Sequence, residues 1–236
     1  MTVEAQEQIT IDALGKRLSL VDEAYTQLKE KILNNQFPPG YQALEQEIAR
    51  QLGMSRTPVR EALIRLADDG LIEVLPRRGV RILPVSPGDM REIYQLLACL
   101  ESMAAHMVAL RGLGAGSEEL QRMTALCAAM DAALAQDELE NWAAADDEFH
   151  MLLLDSCGNK RLAKAARAVW DQSHRVRMVT LRLRPKPNDA NKDHSDLVEA
   201  IRNCDECAAH EIQQRHRIEE METVLGVLDR YRLYHL

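Results

Sequence analysis

Ser55-Arg56-Thr57-Pro58-Val59-Arg60-Glu61-Ala62-Leu63 decides how the rest of this chain is read. It sets two arginines one turn apart, two hydroxyls and a proline at the start of an amphipathic helix. Ser55 or Thr57 can cap that helix. Pro58 is tolerated because first-turn amides have no intrahelical partner. Val59, Leu63 and Leu66 form the inward stripe, while Thr57, Arg60 and Glu61 point away from it. Arg56 and Arg60 are then cations near a free helix N-terminus, an arrangement suited to phosphates and guanine edges.

Upstream, Val21, Ala24, Tyr25, Leu28, Ile32 and Leu33 make a helical stripe that Phe37-Pro38-Pro39-Gly40 stops. Leu44 to Leu52 predicts a short helix, and Gly53 turns the chain after it. Downstream, Gly70 ends the arginine-bearing helix. Leu71–Leu75 and Val80–Leu83 read as strands around Pro76-Arg77-Arg78-Gly79, a hairpin with a basic tip. This order predicts a winged helix-turn-helix of three helices and a β-hairpin wing over residues 20–84. Its third helix would lie in the major groove of DNA. Ser55 and Thr57 suit phosphates, Arg56 and Arg60 suit guanine or phosphate, and Arg77 and Arg78 suit the backbone or minor groove. Gly79 permits close approach. The plainer alternative is a solvated helix face, and the full ordered set of elements favours DNA.

The chain has 236 residues, enough for two domains, and 46% of them are hydrophobic, enough for real cores. Aromatics are only 4%, and Ala and Leu abound, so helices are favoured over sheets. Residues 1–19 read as a tail. No signal peptide is visible and no run of about 18 apolar residues occurs, so no membrane segment is expected and the cytoplasm is the default compartment. Cys99, Cys127, Cys157, Cys204 and Cys207 read as free thiols; Cys204-x-x-Cys207 is a lone pair and a weak zinc signal. The net charge of −8 is unevenly shared: residues 50–81 carry seven arginines and four acids. A small basic face on an acidic body confines any DNA contact to one end.

Val85-Ser86-Pro87-Gly88 reads as a linker, and residues 89–236 as an all-α antiparallel bundle. Six helices are expected near 89–111, 117–135, 138–156, 160–182, 189–203 and 205–232. Asp146 and His150 share a helix face. His150 also lies on a stripe with Leu153, Leu154 and Cys157. His194 sits with Leu197 and Ile201, and His216 follows Ala209 and Ile212. A single histidine on an apolar face is usually a satisfied core residue. Three of them with a carboxylate would each cost roughly 1–3 kcal/mol if left without partners, so convergence on a divalent ion, zinc or nickel, is attractive. Met90, Met103, Met107 and Met130 read as packing. His106, His174, His210 and His235 read as structural or exposed, with His174 near enough to support the cluster.

Residues 22–84 resemble the DNA-binding domain of the GntR superfamily of bacterial regulators. The likeness is carried by Leu52-Gly53-Met54-Ser55-Arg56-Thr57-Pro58-Val59-Arg60-Glu61-Ala62-Leu63 and by Arg77-Arg78-Gly79-Val80. The resemblance implies operator contacts by Arg56, Arg60 and the wing glycine; Gln46 stands where members often carry a DNA-touching Arg. Residues 89–232 resemble the helical FCD ligand-binding domain of the FadR-type branch, in a VanR-like six-helix form. Asp146-x-x-Phe149-His150, Gly158-Asn159, Asp193-His194 and His216 carry that likeness. It implies a divalent metal on Asp146, His150, His194 and His216, with a small carboxylate effector beside it. Leu97 stands where members often have an Arg that holds an anionic ligand. Arg175, Arg177 and Arg182 are candidate substitutes, although a surface position suits them equally.

The resemblance thus implies a ligand-responsive repressor that binds a pseudo-palindromic operator as a homodimer. Two alternatives use the same residues: a metal sensor without an organic effector, and a metal-dependent hydrolase in which the ion activates water.

Overall fold

The structure is a computed structural model that describes residues 19–114 and 116–234. The chain divides into two compact units, Met1–Pro84 and Val85–Leu236. All of the predicted tail at 1–19 except Ser19 lies outside the described residues.

In the first unit, α1 (Leu20–Leu33) starts where the Ser19 side chain accepts a hydrogen bond from the Asp22 amide. Its face of Ala24, Leu28 and Ile32 is buried. β1 is a pair of residues, Gln42–Ala43, and α2 spans Glu45–Leu52. Gly53 closes α2 in the left-handed region at φ +66°, as a C-terminal turn requires. α3 (Arg56–Asp68) buries Pro58, Val59, Ala62, Leu63 and Leu66. Ser55 holds the N-cap position but makes no side-chain cap bond, so the expected hydroxyl cap is absent.

β2 (Ile72–Leu75) and β3 (Gly79–Ile82) form the hairpin, and β1 adds to its other edge in the order β1-β3-β2, all antiparallel. Ala43 pairs with Val80, and Leu75 pairs with Gly79. A strand of two residues has no readable period, so β1 was not expected. It explains Gly79, whose φ is +87°: a Cβ there would lie 2.1 Å from the Ala43 carbonyl oxygen. The glycine is needed by the fold itself.

The second unit contains α4 (Pro87–Arg111), α5 (Glu118–Ala135), α6 (Leu139–Ser156), α7 (Lys160–Thr180), α8 (Asn188–Arg202) and α9 (Glu206–Tyr231). A short 3₁₀ turn, Leu181–Leu183, follows α7. The linker expected at 85–88 is shorter than that. Ser86 caps α4 through the Asp89 amide, and Pro87 and Gly88 already belong to the helix, because proline is well suited to a first helical turn. α4 is long and apolar enough to cross a membrane by length and composition, but it is a core helix, packed along α9. One apolar cluster joins α4, α5, α6 and α8 around Phe149, Leu153, Leu197 and Ile201. Another, around Met90, Tyr94, Leu97, Trp170 and Leu228, joins α4, α7 and α9.

Candidate functional site

The first unit presents its cations outward. Arg56 is 69% exposed on its side chain and has only a distant partner, Glu45 at 3.7 Å. Arg60, Thr57 and Ser55 are exposed on the same end of α3, and Arg77 and Arg78 are exposed at the hairpin tip. Buried Val59, Leu63 and Leu66 hold α3 from behind. Arg56, Arg60 and Arg77 all border one concavity of about 420 Å³ between α3 and the hairpin, together with Gln46 and Gly79. A helix N-terminus carrying cations above a basic hairpin fits phosphate and base-edge contacts.

The turn at the hairpin tip is unusual. Leu75 accepts the Arg78 amide at 3.0 Å, with Pro76 and Arg77 between them. Arg77 has φ +62°. This is the pattern of a type II turn, whose third residue is normally glycine or asparagine. An arginine is held there at a conformational cost.

In the second unit, α6, α8 and α9 bring Asp146, His150, His194 and His216 together. One ligand atom from each lies within 4.8 Å of all the others, and all four residues are buried. The Nε2 atoms of His150 and His194 face each other at 3.1 Å. Asp146 Oδ1 lies 3.6 Å from the first and 3.4 Å from the second. The Nε2 of His216 is buried and has no hydrogen-bond partner among the described residues. Such an orphaned nitrogen beside two opposed imidazole nitrogens and a carboxylate is a donor set short of a cation. Three imidazoles and one carboxylate fit a divalent metal ion.

A surrounding layer fixes how these four side chains point. His150 Nδ1 sits 3.0 Å from Glu101 Oε2, which leaves its Nε2 toward the cluster. Glu101 is in turn held by Arg217 at 2.8 Å and Gln213 at 2.7 Å. His216 Nδ1 faces Asp193 at 3.6 Å. Arg177 donates to Asp146 Oδ2 and to Asp147, each at 2.7 Å, and stacks on Trp170. Burial opposes the charge of Glu101, but Arg217 and His150 outweigh it and bring the carboxyl to about 2. Burial likewise opposes the charge of Asp146, yet His150 and Arg177 hold it well below the carboxylate range. Burial, reinforced by His216, drives His194 well below the histidine range and keeps it neutral, as a metal ligand must be.

Burial and Arg217 both work against a charge on His150, but Glu101 and Asp146 prevail and raise it. Glu101, Gln213 and Arg217 escape the sequence reading, because single polar residues inside helical stripes do not reveal their partners. Arg175 and Arg177 are buried, which corrects the surface reading of both. Arg182 is exposed in the 3₁₀ turn and pairs with Glu140 at 2.7 Å.

A cavity of about 210 Å³ opens beside the cluster, with Asp146 and His216 in its wall. Trp142, Leu181 and Ala190 give it an apolar side, and Arg184 and Lys186 are its cations. Neither Arg175 nor Arg182 lines it. Leu97 is fully buried in the core between α4, α7 and α9. His174 faces Asp147 at 3.6 Å, one residue removed from the ligands. His106 approaches the Glu206 carbonyl, and His210 is half-buried; His235 lies outside the described residues. All five cysteines are free, and Cys204 and Cys207 join no metal-binding group among the described residues.

Residues 20–82 match the gntR family of bacterial regulatory proteins, and residues 92–219 match the FCD domain. The chain belongs to the GntR family, in its FCD-bearing branch. A regulator from the TAR-I ttuE-ttuC' intergenic region of Agrobacterium vitis is 47% identical over 134 residues, 57% of this chain and 78% of that protein. The Escherichia coli repressor RspR is 26% identical over 235 residues, covering 95% of this chain and 94% of its own. The solved E. coli McbR/YncC shares the fold, with a TM-score of 0.73 at 20% identity over 91% of this chain and 99% of that one. GntR-family members of this branch are DNA-binding transcriptional regulators and not enzymes, and so is this chain.

Proposed function

We propose that this GntR-family regulator is a cytoplasmic repressor. It binds a pseudo-palindromic operator as a homodimer and is released or retuned by a small carboxylate beside a divalent metal. The convergence of Asp146, His150, His194 and His216 from three helices carries the effector half of this reading. The ion, zinc or nickel, would supply open coordination positions to which a carboxylate can bind. The chain's own residues do the rest. Glu101 and Asp193 orient two imidazoles, Arg177 anchors Asp146, and the adjoining cavity admits the ligand. Of the arginines, Arg184 at the cavity wall replaces Arg175 and Arg182 as the effector-facing candidate.

Exposed Arg56 and Arg60 on α3, with Ser55, Thr57, Arg77 and Arg78 beside them, support the operator contact. Gly79 brings the hairpin backbone into position. One recognition helix reads too few bases for useful specificity, so two copies are expected. A seam on α4 suits that pairing. Leu96, Cys99, Met103, His106 and Leu110 recur at alternating three- and four-residue steps. Leu96, Met103 and Leu110 are 51%, 44% and 64% exposed. RspR is named a repressor, which supports the sign of regulation. The test is operator binding by the Arg56→Ala/Arg60→Ala variant together with the metal content of His194→Ala. Unchanged operator affinity in the first, or full metal retention in the second, contradicts the corresponding half.

A further inference from the structure

We infer that the effector cavity is built for a zwitterion: a ligand with one carboxylate for the metal end and an ammonium at the far end. The inference rests on the effector reading above. The wall of the cavity contains five carboxylates, from Asp146, Asp189, Asp193, Glu219 and Glu220, and two cations, Arg184 and Lys186. Both cations already have partners. Arg184 lies 3.5 Å from Glu220 and donates to the Arg177 carbonyl at 3.1 Å. Lys186 lies 2.7 Å from Asp137. The carboxylates outnumber the cations, and each cation is already engaged by a carboxylate, so a second anionic group finds little unmatched positive charge in the wall.

The carboxylates divide differently. Asp146, Asp193 and Glu220 are held by Arg177, Arg215 and Arg217. Glu219 has only Arg215 at 3.8 Å and is half exposed. Asp189 is exposed and makes no ion pair among the described residues. It sits in the first turn of α8, whose N-terminus contributes only about half a positive charge. The outer wall is therefore acidic. At the inner wall, His216 is 5% exposed and its Nε2 is without a partner. That nitrogen points to an occupant independently of the acidic rim. With a dication bound there, the inner end attracts one carboxylate. The outer end repels a second carboxylate and attracts an ammonium, while Trp142, Leu181 and Ala190 take a short methylene chain between them.

Three probes of matched length test this: δ-aminovalerate, valerate and glutarate, each titrated by calorimetry into the full-length, zinc-loaded protein. The expected order is δ-aminovalerate, then valerate, then glutarate, with about tenfold between first and last, since two rim charges act with opposite sign on the two ligands. Asp189→Asn/Glu219→Gln is expected to bring all three within about twofold while leaving valerate unchanged. Glutarate binding as tightly as δ-aminovalerate, or an order that survives the double substitution, overturns the zwitterion. Binding of none of the three, or equal binding of all three by metal-free His194→Ala, overturns the effector site itself and the inference with it.

Discussion

Replacing Arg77 with glycine is expected to separate stability from DNA binding. Arg77 occupies the third position of the Leu75–Arg78 turn at φ +62°. A side chain in the left-handed region costs about 1–2 kcal/mol. Glycine removes that cost but adds roughly 0.5–1 kcal/mol of backbone entropy to be lost on folding. Arg77 is exposed and makes no ion pair among the described residues, so no packing is sacrificed. The net change is a stabilisation of about 0.5–1 kcal/mol. Both tryptophans, Trp142 and Trp170, lie in the other unit, so hydrogen exchange of the full-length protein is the better assay. Amides of β3 should exchange about two- to fivefold more slowly in Arg77→Gly. The same variant should bind operator more weakly, with a salt slope reduced by about 0.9 as one phosphate contact is lost. Faster exchange in β3, or an unaltered salt slope, refutes the view that this turn bears a strained arginine for the sake of DNA.

Gly79→Ala should cost about 3 kcal/mol or more and loosen the hairpin before any DNA is added, since its Cβ would collide with the Ala43 carbonyl; a normal melting curve would count against the β1 contact. Met103→Glu puts a charge into the exposed α4 seam and should convert the proposed dimer to monomer in sedimentation. An unchanged sedimentation coefficient removes α4 from the interface. Zinc loading should release protons, because Glu101 and Asp146 favour the charged form of His150, which must give up its proton to bind an ion. Calorimetry in buffers of different ionisation enthalpy reads this directly, and zero release contradicts it.

The parts of the molecule that depend on local chemistry were legible in the chain. The Gly53 turn, the arginine-led α3 and the basic hairpin each follow from neighbouring residues. The convergence of Asp146, His150, His194 and His216 was legible too, because a histidine on an apolar stripe must point inward. What escaped notice depends on contacts between distant segments. β1 is too short to leave a pattern, so nothing local to Gly79 reveals the strand that requires it. Arg177 and Arg217 look like solvated helix residues until Asp146 and Glu101 are placed opposite them. Arg182 was read into α7, but Leu181–Leu183 tightens into a 3₁₀ turn and carries it to the surface. The cavity beside His216 draws on residues from α6 to α9, and no single window of sequence contains it.

Asp146 and His150 share one helix, whereas His194 and His216 belong to two others. An ion clasped by all four would rivet three helices into one body. Losing one donor would still leave it tied to the other helices. Off-rates should then follow the breathing of the bundle, so dialysis alone would strip the protein slowly and mild denaturant would hasten it.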